Sequence, residues 1–300
     1  MINGIINVYK EAGFTSHDVV AKLRGILRQK KIGHTGTLDP DATGVLPVCL
    51  GNGTKLCDML TDKDKTYEAV MLLGTTTDTQ DTSGTIIEMK DVVVSEEEVK
   101  EAILSFVGEY DQIPPMYSAL KVNGKKLYEL AREGIEVERK ARPVKILDIQ
   151  IKEIKLDTKE VIMTVSCSKG TYIRTLCYDI GEKLGCGACM KKLVRTKVSR
   201  FDIKDSLTLS QIEELKHADR LDECVVQVDE MFEKLTKVVI KEEYSKFIYN
   251  GNPFIKAHIS EGESDGMTKQ IRVYDFKNEF VGIYEEKQEG LYKPVKMFLQ

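Results

Sequence analysis

One short stretch of the chain gathers residue types that could do chemistry. The segment Gly33–Lys55 contains five glycines, several hydroxyl residues and two aspartates, of which Asp39 is followed directly by Pro40. An aspartate before a proline favours the start of a turn, so the local residues predict a structural role. The same carboxylate, held ionised in a glycine-rich loop, could instead act as a nucleophile. Both interpretations of Asp39 stay open at this level.

A second chemistry is formally available to the same residues. Asp39-Pro40-Asp41-Ala42-Thr43 matches the D-x-D-x-T pattern of haloacid-dehalogenase-type phosphatases. That fold requires a buried strand immediately before its nucleophilic aspartate. Residues 33–37 are too rich in glycine and threonine to supply one. The match is therefore interpreted as accidental.

The cysteines do not predict a metal or a disulfide framework. Seven cysteines are scattered along the chain, an odd number that argues against systematic pairing. Cys186 and Cys189 have the C-x-x-C spacing of a zinc knuckle, but a structural zinc site needs four ligands. No second C-x-x-C or histidine pair accompanies them. We expect reduced, partly buried thiols and no metal.

Composition and length set the general class. The chain has 300 residues, of which 42% are hydrophobic and 31% are charged, as in ordinary globular proteins. Its apolar runs are too short to span a bilayer, and residues 1–10 lack the pattern of a signal peptide. We therefore expect a cytoplasmic protein that does not bind membranes.

Basic residues are concentrated in three segments although the net charge is −4. Lys22–Lys31 carries five basic residues and no acid, and Lys183–Arg200 carries six and no acid. Lys121–Lys145 has eight basic residues against four glutamates, whereas residues 91–101 and 213–233 are acidic. One charged run usually marks a solvated helix face. Three basic segments in a mildly acidic chain indicate a surface suited to a phosphate backbone.

Hydrophobic spacing predicts the elements that must position Asp39. Residues 4–9 have the pattern of a short apolar strand, and Thr15-Ser16-His17-Asp18 has the form of a capping box that opens a helix. The basic end of that helix leads directly into the loop that begins at Gly33. Further strands are predicted over residues 45–50, 66–73, 144–155, 160–167 and 188–201. Further helices are predicted over residues 54–60, from Ser95, from Thr171 to Gly185, and from Ser210.

Two residues on these elements could assist a carboxylate. Arg174 falls in the first turn of the helix that Thr171 is predicted to cap, where the helix dipole disfavours a cation. A carboxylate partner would offset that penalty, although an exposed arginine is the simpler interpretation. Tyr67 lies on the strand that follows the glycine-rich loop, where it could be an ordinary sheet tyrosine or a functional ring.

The remaining segments complete the predicted architecture. Residues 113–143 are basic and rich in turn residues, with a short helix near 127–132, and predict a mobile insertion. Short strands separated by turns, such as Glu261-Gly262-Glu263, predict a small all-β module over residues 235–300. Residues 1–234 mix helices with mostly antiparallel strands, so the predicted class is α+β.

These residues also carry a family resemblance. Gly33-His34-Thr35-Gly36-Thr37-Leu38-Asp39-Pro40 is similar to the signature of bacterial tRNA pseudouridine-55 synthases of the TruB type. The similarity covers roughly residues 1–200 in order and departs at Lys10-Glu11, where many members have Lys-Pro. It continues through residues 42–47, 65–67, 74–84, 113–121 and 168–174.

The resemblance implies a fold, a reaction and a partner. The fold would be that of a pseudouridine synthase, with a central mostly antiparallel sheet, flanking helices and a C-terminal PUA-like module for auxiliary tRNA contacts. The reaction would isomerise the T-loop uridine, position 55 of tRNA, to pseudouridine. No atoms are added, so no cofactor is implied. The partner would be the T-arm stem-loop of tRNA, with no protein partner and a monomeric enzyme.

The resemblance also assigns roles to residues. Asp39 would be the nucleophile, and Arg174 would pair with it, lower its pKa and keep it ionised. Tyr67 would stack on the target uracil and exchange a proton at carbon 5. Leu193 would be an apolar wall beside the base, and Asp81 would belong to the polar network of the site.

Further residues would bind substrate according to the same resemblance. His34 would lie in the RNA-contacting loop that replaces the flipped base. Lys10, Lys55 and Tyr172 complete the expected substrate-binding set. The rival interpretation is a non-catalytic RNA-binding protein on the same scaffold. Such a protein would have no use for Asp39, Tyr67 and Arg174 together, so the catalytic interpretation is favoured.

Overall fold

The computed structural model describes residues 1–122, 124–261 and 269–299. The helices in these ranges are α1 (Ser16–Leu27), α2 (Cys57–Thr61), α3 (Glu96–Leu104), α4 (Leu127–Arg132), α5 (Ile173–Leu184), α6 (Leu209–His217) and α7 (Glu242–Tyr249). The strands of the first part of the chain are β1 (Gly4–Lys10), β2 (Ile32–His34), β3 (Thr43–Leu50), β4 (Lys65–Leu73), β5 (Thr75–Thr77), β6 (Ile86–Met89), β7 (Gly108–Gln112), β8 (Lys121–Val122), β9 (Lys125–Lys126) and β10 (Arg142–Lys155). Those of the second part are β11 (Glu160–Cys167), β12 (Ala188–Val198), β13 (Phe201–Asp202), β14 (Val225–Val226), β15 (Thr236–Ile240), β16 (Phe254–Ile255), β17 (Ile259–Glu261), β18 (Gln270–Tyr274), β19 (Phe280–Gln288) and β20 (Leu291–Met297).

The main sheet brings sequence-distant strands side by side. Its order is β14-β1-β3-β12-β4-β11-β10-β7, with β2 paired to β3 and β13 paired to β12. The β3–β12 pair is parallel and the other described pairs of this sheet are antiparallel. The predicted α+β class with a mostly antiparallel sheet is confirmed. Because β12 lies between β3 and β4, the loop before β3 and the side chains of β4 meet above β12.

Helices cover the sheet because their apolar faces match it. Helix α1 buries Val19, Val20 and Leu23 in a cluster with residues of β1 and β3. Helix α5 buries Leu176 and Ile180 in a second cluster with residues of β4 and β11. No helix in the described part of the chain is both long and apolar enough to cross a membrane.

Capping explains where two of these helices begin. The hydroxyl of Thr15 accepts a hydrogen bond from the Asp18 amide, and Asp18 accepts one from the Thr15 amide, so the predicted capping box is confirmed. The same arrangement joins Ser95 and Glu98 at the start of α3. Each box satisfies backbone N–H groups that the first helical turn leaves unpaired.

The second sheet forms the C-terminal part of the molecule. Its order is β16-β20-β19-β18-β15-β17, and all six strands lie after residue 235. The predicted C-terminal β module, consistent with a PUA-like fold, is confirmed, and it includes one helix, α7, between β15 and β16. Tyr244, Phe247 and Ile248 recur at helical spacing, which is the pattern in the sequence that indicates this helix. Residues 262 and 263 of the predicted turn lie outside the described residues.

The two sheets share an apolar cluster. Phe298 and Ile283 are each 3% exposed and pack in one cluster with Val45 and Cys49 of the main sheet. The Asn52 side-chain amide donates a hydrogen bond to the Phe298 carbonyl at 2.7 Å. Residues on either side of the predicted boundary at 234 are therefore packed against each other.

The basic insertion contains more structure than its composition suggests. Helix α4 lies where the short helix was predicted. Leu127 and Leu130 are buried, and the Tyr128 amide donates to the Ser118 carbonyl at 3.1 Å. The residues after α4, by contrast, are mostly exposed from 133 to 141.

Candidate active site

A cleft of about 1590 Å³ opens above the centre of the main sheet. Its lining combines the loop that carries Asp39, the side of β4 at Tyr67, the start of α5 at Arg174, and residues of β12 such as Leu193. Residues of the insertion, including Tyr128, form another wall. Residues from across the sequence thus converge on one concave surface, the usual form of a ligand site.

Turn hydrogen bonds hold Asp39 at the floor of this cleft. The Ala42 amide donates to the Asp39 carbonyl at 3.1 Å, which closes a turn with Pro40 in its second position. The Leu38 amide donates to the Ser16 hydroxyl oxygen at 2.9 Å, which ties the loop to the start of α1. Asp39 therefore shapes a turn and also presents its carboxylate to the cleft.

Lys10 supports the loop from below and does not reach the cleft. The side chain is 0% exposed, and its ammonium donates hydrogen bonds to the carbonyls of Pro40 at 2.9 Å, Ala42 at 2.6 Å and Glu11 at 3.0 Å. Burial lowers its pKa to about 8, although Asp39 and Asp41 oppose that change. In this structure its donors bind the main chain of the loop, and the expected contact of Lys10 with substrate stays a prediction.

Arg174 lies between two carboxylates. Its side chain is 7% exposed, with Nε 3.3 Å from Asp39 Oδ2 and Nη1 3.5 Å from Asp81 Oδ2. The guanidinium also donates to the carbonyls of Tyr117 at 2.8 Å and Thr79 at 3.3 Å. The pairing of Arg174 with Asp39 has the geometry that the resemblance implied.

Asp81 is fixed more firmly than Asp39. Its Oδ1 accepts hydrogen bonds from the Thr79 hydroxyl at 2.7 Å, the Ser83 amide at 3.0 Å and the Ser83 hydroxyl at 2.5 Å. Its Oδ2 is left for Arg174. Asp81 therefore holds the guanidinium in place while Asp39, whose side chain is 41% exposed, remains open to the cleft.

The expected effect on the pKa of Asp39 is corrected by the structure. Arg174 does lower the pKa of Asp39, but burial in the cleft raises it by more, and Asp81 and Asp41 raise it further. The net pKa lies above the ordinary value for an aspartate. The pKa of Asp39 rises although its side chain is partly exposed, because the walls of the cleft displace much of the water around the carboxylate.

The start of α5 differs from the prediction. Thr171 does not cap the helix, since its hydroxyl donates to the Ser168 carbonyl and α5 begins at Ile173. Instead, Gln112 of β7 binds the main chain of Tyr172, accepting from its amide at 2.8 Å and donating to its carbonyl at 3.0 Å. Gln112 is 1% exposed. A residue sixty positions away in sequence thus anchors the helix start that carries Arg174.

Tyr67 and Leu193 line the cleft beside Asp39. Both are nearly buried, at 9% and 7% exposure, and both side chains are among the lining residues. Burial raises the pKa of the Tyr67 phenol, while Arg195 acts in the opposite direction. Tyr172, another expected binding residue, also lines the cleft, and burial raises the pKa of its phenol.

The remaining expected binding residues lie elsewhere. His34 packs edge-on against His17 with ring centroids 5.2 Å apart, and its Nδ1 accepts a hydrogen bond from the Gly36 amide. Burial lowers the pKa of His34, and His17 and Arg195 add to that effect. Lys55 donates instead to the Met297 carbonyl at 2.9 Å. Its ammonium thus links the segment after β3 to β20, and its expected contact with RNA phosphate stays a prediction.

The cysteines do not form a metal centre in the described residues. No group of three or more histidine, cysteine or acidic side chains there could hold a metal ion. Cys186 and Cys189 are buried, and burial raises the pKa of each thiol.

Comparisons with known proteins place the chain in a family. Residues 24–173 match the model of the TruB family pseudouridylate synthase N-terminal domain, and residues 174–233 match the tRNA pseudouridylate synthase B C-terminal domain. The chain is 56% identical to tRNA pseudouridine synthase B of Lachnoclostridium phytofermentans, covering 99% of this chain and 100% of that protein. It is 42% identical to the protein of the same name from Bacillus cytotoxicus, covering 99% and 98%.

Solved structures give the same result for the fold. A chain from a Cbf5-Nop10-Gar1 complex aligns with a TM-score of 0.71 and 28% identity, covering 99% of this chain and 85% of that chain. A chain from an H/ACA RNP bound to a substrate RNA containing 2'-deoxyuridine aligns with a TM-score of 0.71 and 26% identity, with the same coverage. The resemblance seen in the sequence is confirmed: the chain belongs to the TruB family of pseudouridylate synthases.

Proposed function

We propose that this protein isomerises the T-loop uridine at position 55 of tRNA to pseudouridine, with Asp39 as the nucleophile. The observation that carries the proposal is the placement of Asp39 at the floor of a large cleft, 3.3 Å from a buried arginine and beside a buried tyrosine. The names of the relatives, tRNA pseudouridine synthase B, support tRNA as the substrate.

The target base must leave its RNA stack before Asp39 can reach it. Extruding a nucleotide costs a few kcal/mol, which contacts in the cleft must offset. Tyr67 and Leu193 offer an aromatic and an apolar surface for the extruded uracil. The His34 loop lies next to the cleft and would fill the space that the base leaves in the RNA.

The chemistry then needs one nucleophile and one proton acceptor. The Asp39 carboxylate attacks the flipped nucleotide, and the bond between base nitrogen and ribose breaks. The base then rejoins the ribose through carbon 5, and the bond to Asp39 is broken again. Tyr67, as a phenolate, takes the proton that carbon 5 releases, and the base nitrogen takes up a proton from water. Arg174 aims the carboxylate and limits the rise in its pKa, so that Asp39 stays reactive at neutral pH.

The surroundings of the cleft suit a tRNA arm. Lys126, Arg132 and Arg142 of the insertion line the cleft together with Tyr128, and Lys126 lies 5.3 Å above the Tyr128 ring. These cations would contact phosphates, which position RNA without reading its sequence.

We further propose a catalytic region over residues 1–234, auxiliary tRNA contacts from residues 235–300, and a monomeric cytoplasmic enzyme without a cofactor.

The direct test is release of tritium from a T-arm transcript that carries tritium at carbon 5 of its uridines. The wild-type protein should release it to water, because carbon 5 loses its hydrogen when the base rejoins the ribose. Asp39→Asn should release essentially none while binding the transcript normally in a filter assay. The amide is almost isosteric with the carboxylate but is a poor nucleophile.

Asp41→Asn is the matched control. Asp41 is exposed and lies in the same loop, and the substitution changes the loop charge by the same amount. It should leave release close to wild type. If Asp39→Asn released tritium at the wild-type rate, Asp39 would have only a structural role in the turn. If the wild-type protein released no tritium, the proposed reaction would be refuted.

A further inference from the structure

Arg195 is a buried cation that the proposed reaction leaves without a role. Its side chain is 1% exposed and is among the largest fully buried ones in the described residues. Burying a guanidinium is costly unless hydrogen bonds or an opposite charge compensate it. Burial lowers the pKa of Arg195, and the group that acts in the opposite direction is the phenol of Tyr67, not a carboxylate. A cation kept under these conditions requires an explanation.

Arg195 binds the main chain of the loop that carries Asp39. Arg195 Nη2 donates to the Gly36 carbonyl at 3.2 Å, and Nη1 donates to the Thr37 carbonyl at 3.4 Å. Its Nε donates to the Val45 carbonyl at 2.7 Å, on the other side of the same loop. One guanidinium therefore fastens the two ends of the loop. Three fixed main-chain acceptors match the planar fork of arginine and not the single point charge of lysine.

The strand register places Arg195 between β3 and β4. On one side of β12, Arg195 lies opposite Tyr67 of β4, and on the other side it lies opposite Gly44 of β3. A Cβ at Gly44 would lie 2.2 Å from the Arg195 carbonyl oxygen, so the strands approach closely at this point. Arg195 is thus the residue of the central strand that borders both the loop of the nucleophile and the tyrosine.

We propose that Arg195 is a positioning residue that fixes the Asp39 loop and places a positive charge opposite the Tyr67 hydroxyl. The inference rests on the proposed function, in which Tyr67 accepts the carbon 5 proton. In that step the phenolate oxygen binds the proton, the C5–H electron pair returns to the ring, and the base nitrogen takes up a proton from water. The hydroxide that remains takes the carbon 5 proton from the Tyr67 phenol and restores the phenolate. A phenolate buried beside a guanidinium is stabilised, whereas one buried alone is not.

The other groups around Tyr67 do not supply this charge. Cys167 of β11 and Asp39 of the loop both raise the pKa of the phenol, and burial raises it most. Lys65 on the same strand is itself largely buried, and burial and Arg195 lower its pKa to about 8. Among these groups Arg195 is the one that lowers the pKa of Tyr67.

The test measures single-turnover tritium release from the T-arm hairpin from neutral to alkaline pH. Arg195→Met removes both the fork and the charge, so release should be slower by on the order of tenfold to a hundredfold at neutral pH. The deficit should shrink as pH rises, because the phenolate then forms without help. Arg195→Lys keeps the charge, so its rate should fall while the position of its pH profile stays that of the wild type.

Arg272→Met is the matched control. Arg272 also donates to two main-chain carbonyls, those of Leu235 at 3.0 Å and Glu233 at 3.4 Å, and it also lies beside a tyrosine, Tyr274, but in the second sheet. Its pH profile should match the wild type.

In a Tyr67→Phe background, Arg195→Met should slow release less than it does in the wild type, because the phenol on which the Arg195 charge acts is then absent.

Two results would overturn the inference. Release by Arg195→Met that is slowed by one constant factor at every pH would reduce Arg195 to a fold-stabilising residue. If that variant does not fold, a wild-type rate for Arg195→Lys at every pH would refute the role of the guanidinium fork. Absence of release by the wild-type protein would instead refute the proposed function, so the two failures are distinguishable.

Discussion

Replacing Arg174 with methionine tests how far the site depends on one cation. Arg174 is 7% exposed and is paired with Asp39 at 3.3 Å and with Asp81 at 3.5 Å. Methionine keeps much of the apolar volume but leaves the two carboxylates facing each other. Removing one partner of a fully buried pair costs about 3–5 kcal/mol of unfolding free energy. Because the Asp39 side chain is 41% exposed and partly screened by water, we expect about 2–3 kcal/mol.

The same substitution should move the pH dependence of turnover. Arg174 lowers the pKa of Asp39, while burial and Asp81 raise it. Without Arg174 the pKa of Asp39 must rise further. The ionised carboxylate is the reactive form, so activity is lost as pH falls through that pKa. The loss should therefore begin at a higher pH in Arg174→Met than in the wild type.

Thermal unfolding and the pH profile of tritium release measure both effects on one preparation. For a chain of this size the expected loss of stability corresponds to a fall in Tm of roughly 3–5 °C. Arg220→Met is the control, because Arg220 forms a bidentate pair with Glu223 at the exposed surface and should leave Tm nearly unchanged. A wild-type Tm together with an unmoved acidic limb in Arg174→Met would refute the role assigned to this cation.

Three further predictions concern the loop, the nucleophile and the insertion. Gly44→Ala should lower Tm by several degrees in thermal unfolding, because φ is +105° and the new Cβ would lie 2.2 Å from the Arg195 carbonyl oxygen; Gly13→Ala, with φ +83° but open space, should cost less. Asp39→Asn should raise Tm at neutral pH. The pKa of Asp39 is raised in the folded protein, so its ionised carboxylate lowers the stability of the fold once pH is above that pKa, and asparagine carries no charge. An equal Tm at neutral pH would contradict this. Limited proteolysis should cut first within residues 133–141, which are mostly exposed, and bound tRNA should protect them; equal cleavage with and without tRNA would rule out closure on RNA.

Local features of the sequence determined much of the secondary structure. The Thr15 capping box, the helix from Ser95 and the helix at 127–132 were predicted correctly, because caps and helical spacing depend on residues within a few positions of each other. The loop motif around Asp39 likewise identified the family, which the comparisons confirmed. The roles of the individual site residues stay predictions until the variants are measured.

Tertiary structure decided what surrounds the carboxylate. Gln112 anchors the start of α5 from 60 residues away, and Arg195 reaches the Gly36 carbonyl across 159 positions of sequence. No local pattern marks either residue, since a buried glutamine and a buried arginine look in sequence like solvated ones. The sequence also suggested that the pairing with Arg174 would dominate the pKa of Asp39. Burial outweighs it, because desolvation depends on every wall of the cleft, and those walls meet only when the strands of the main sheet are assembled.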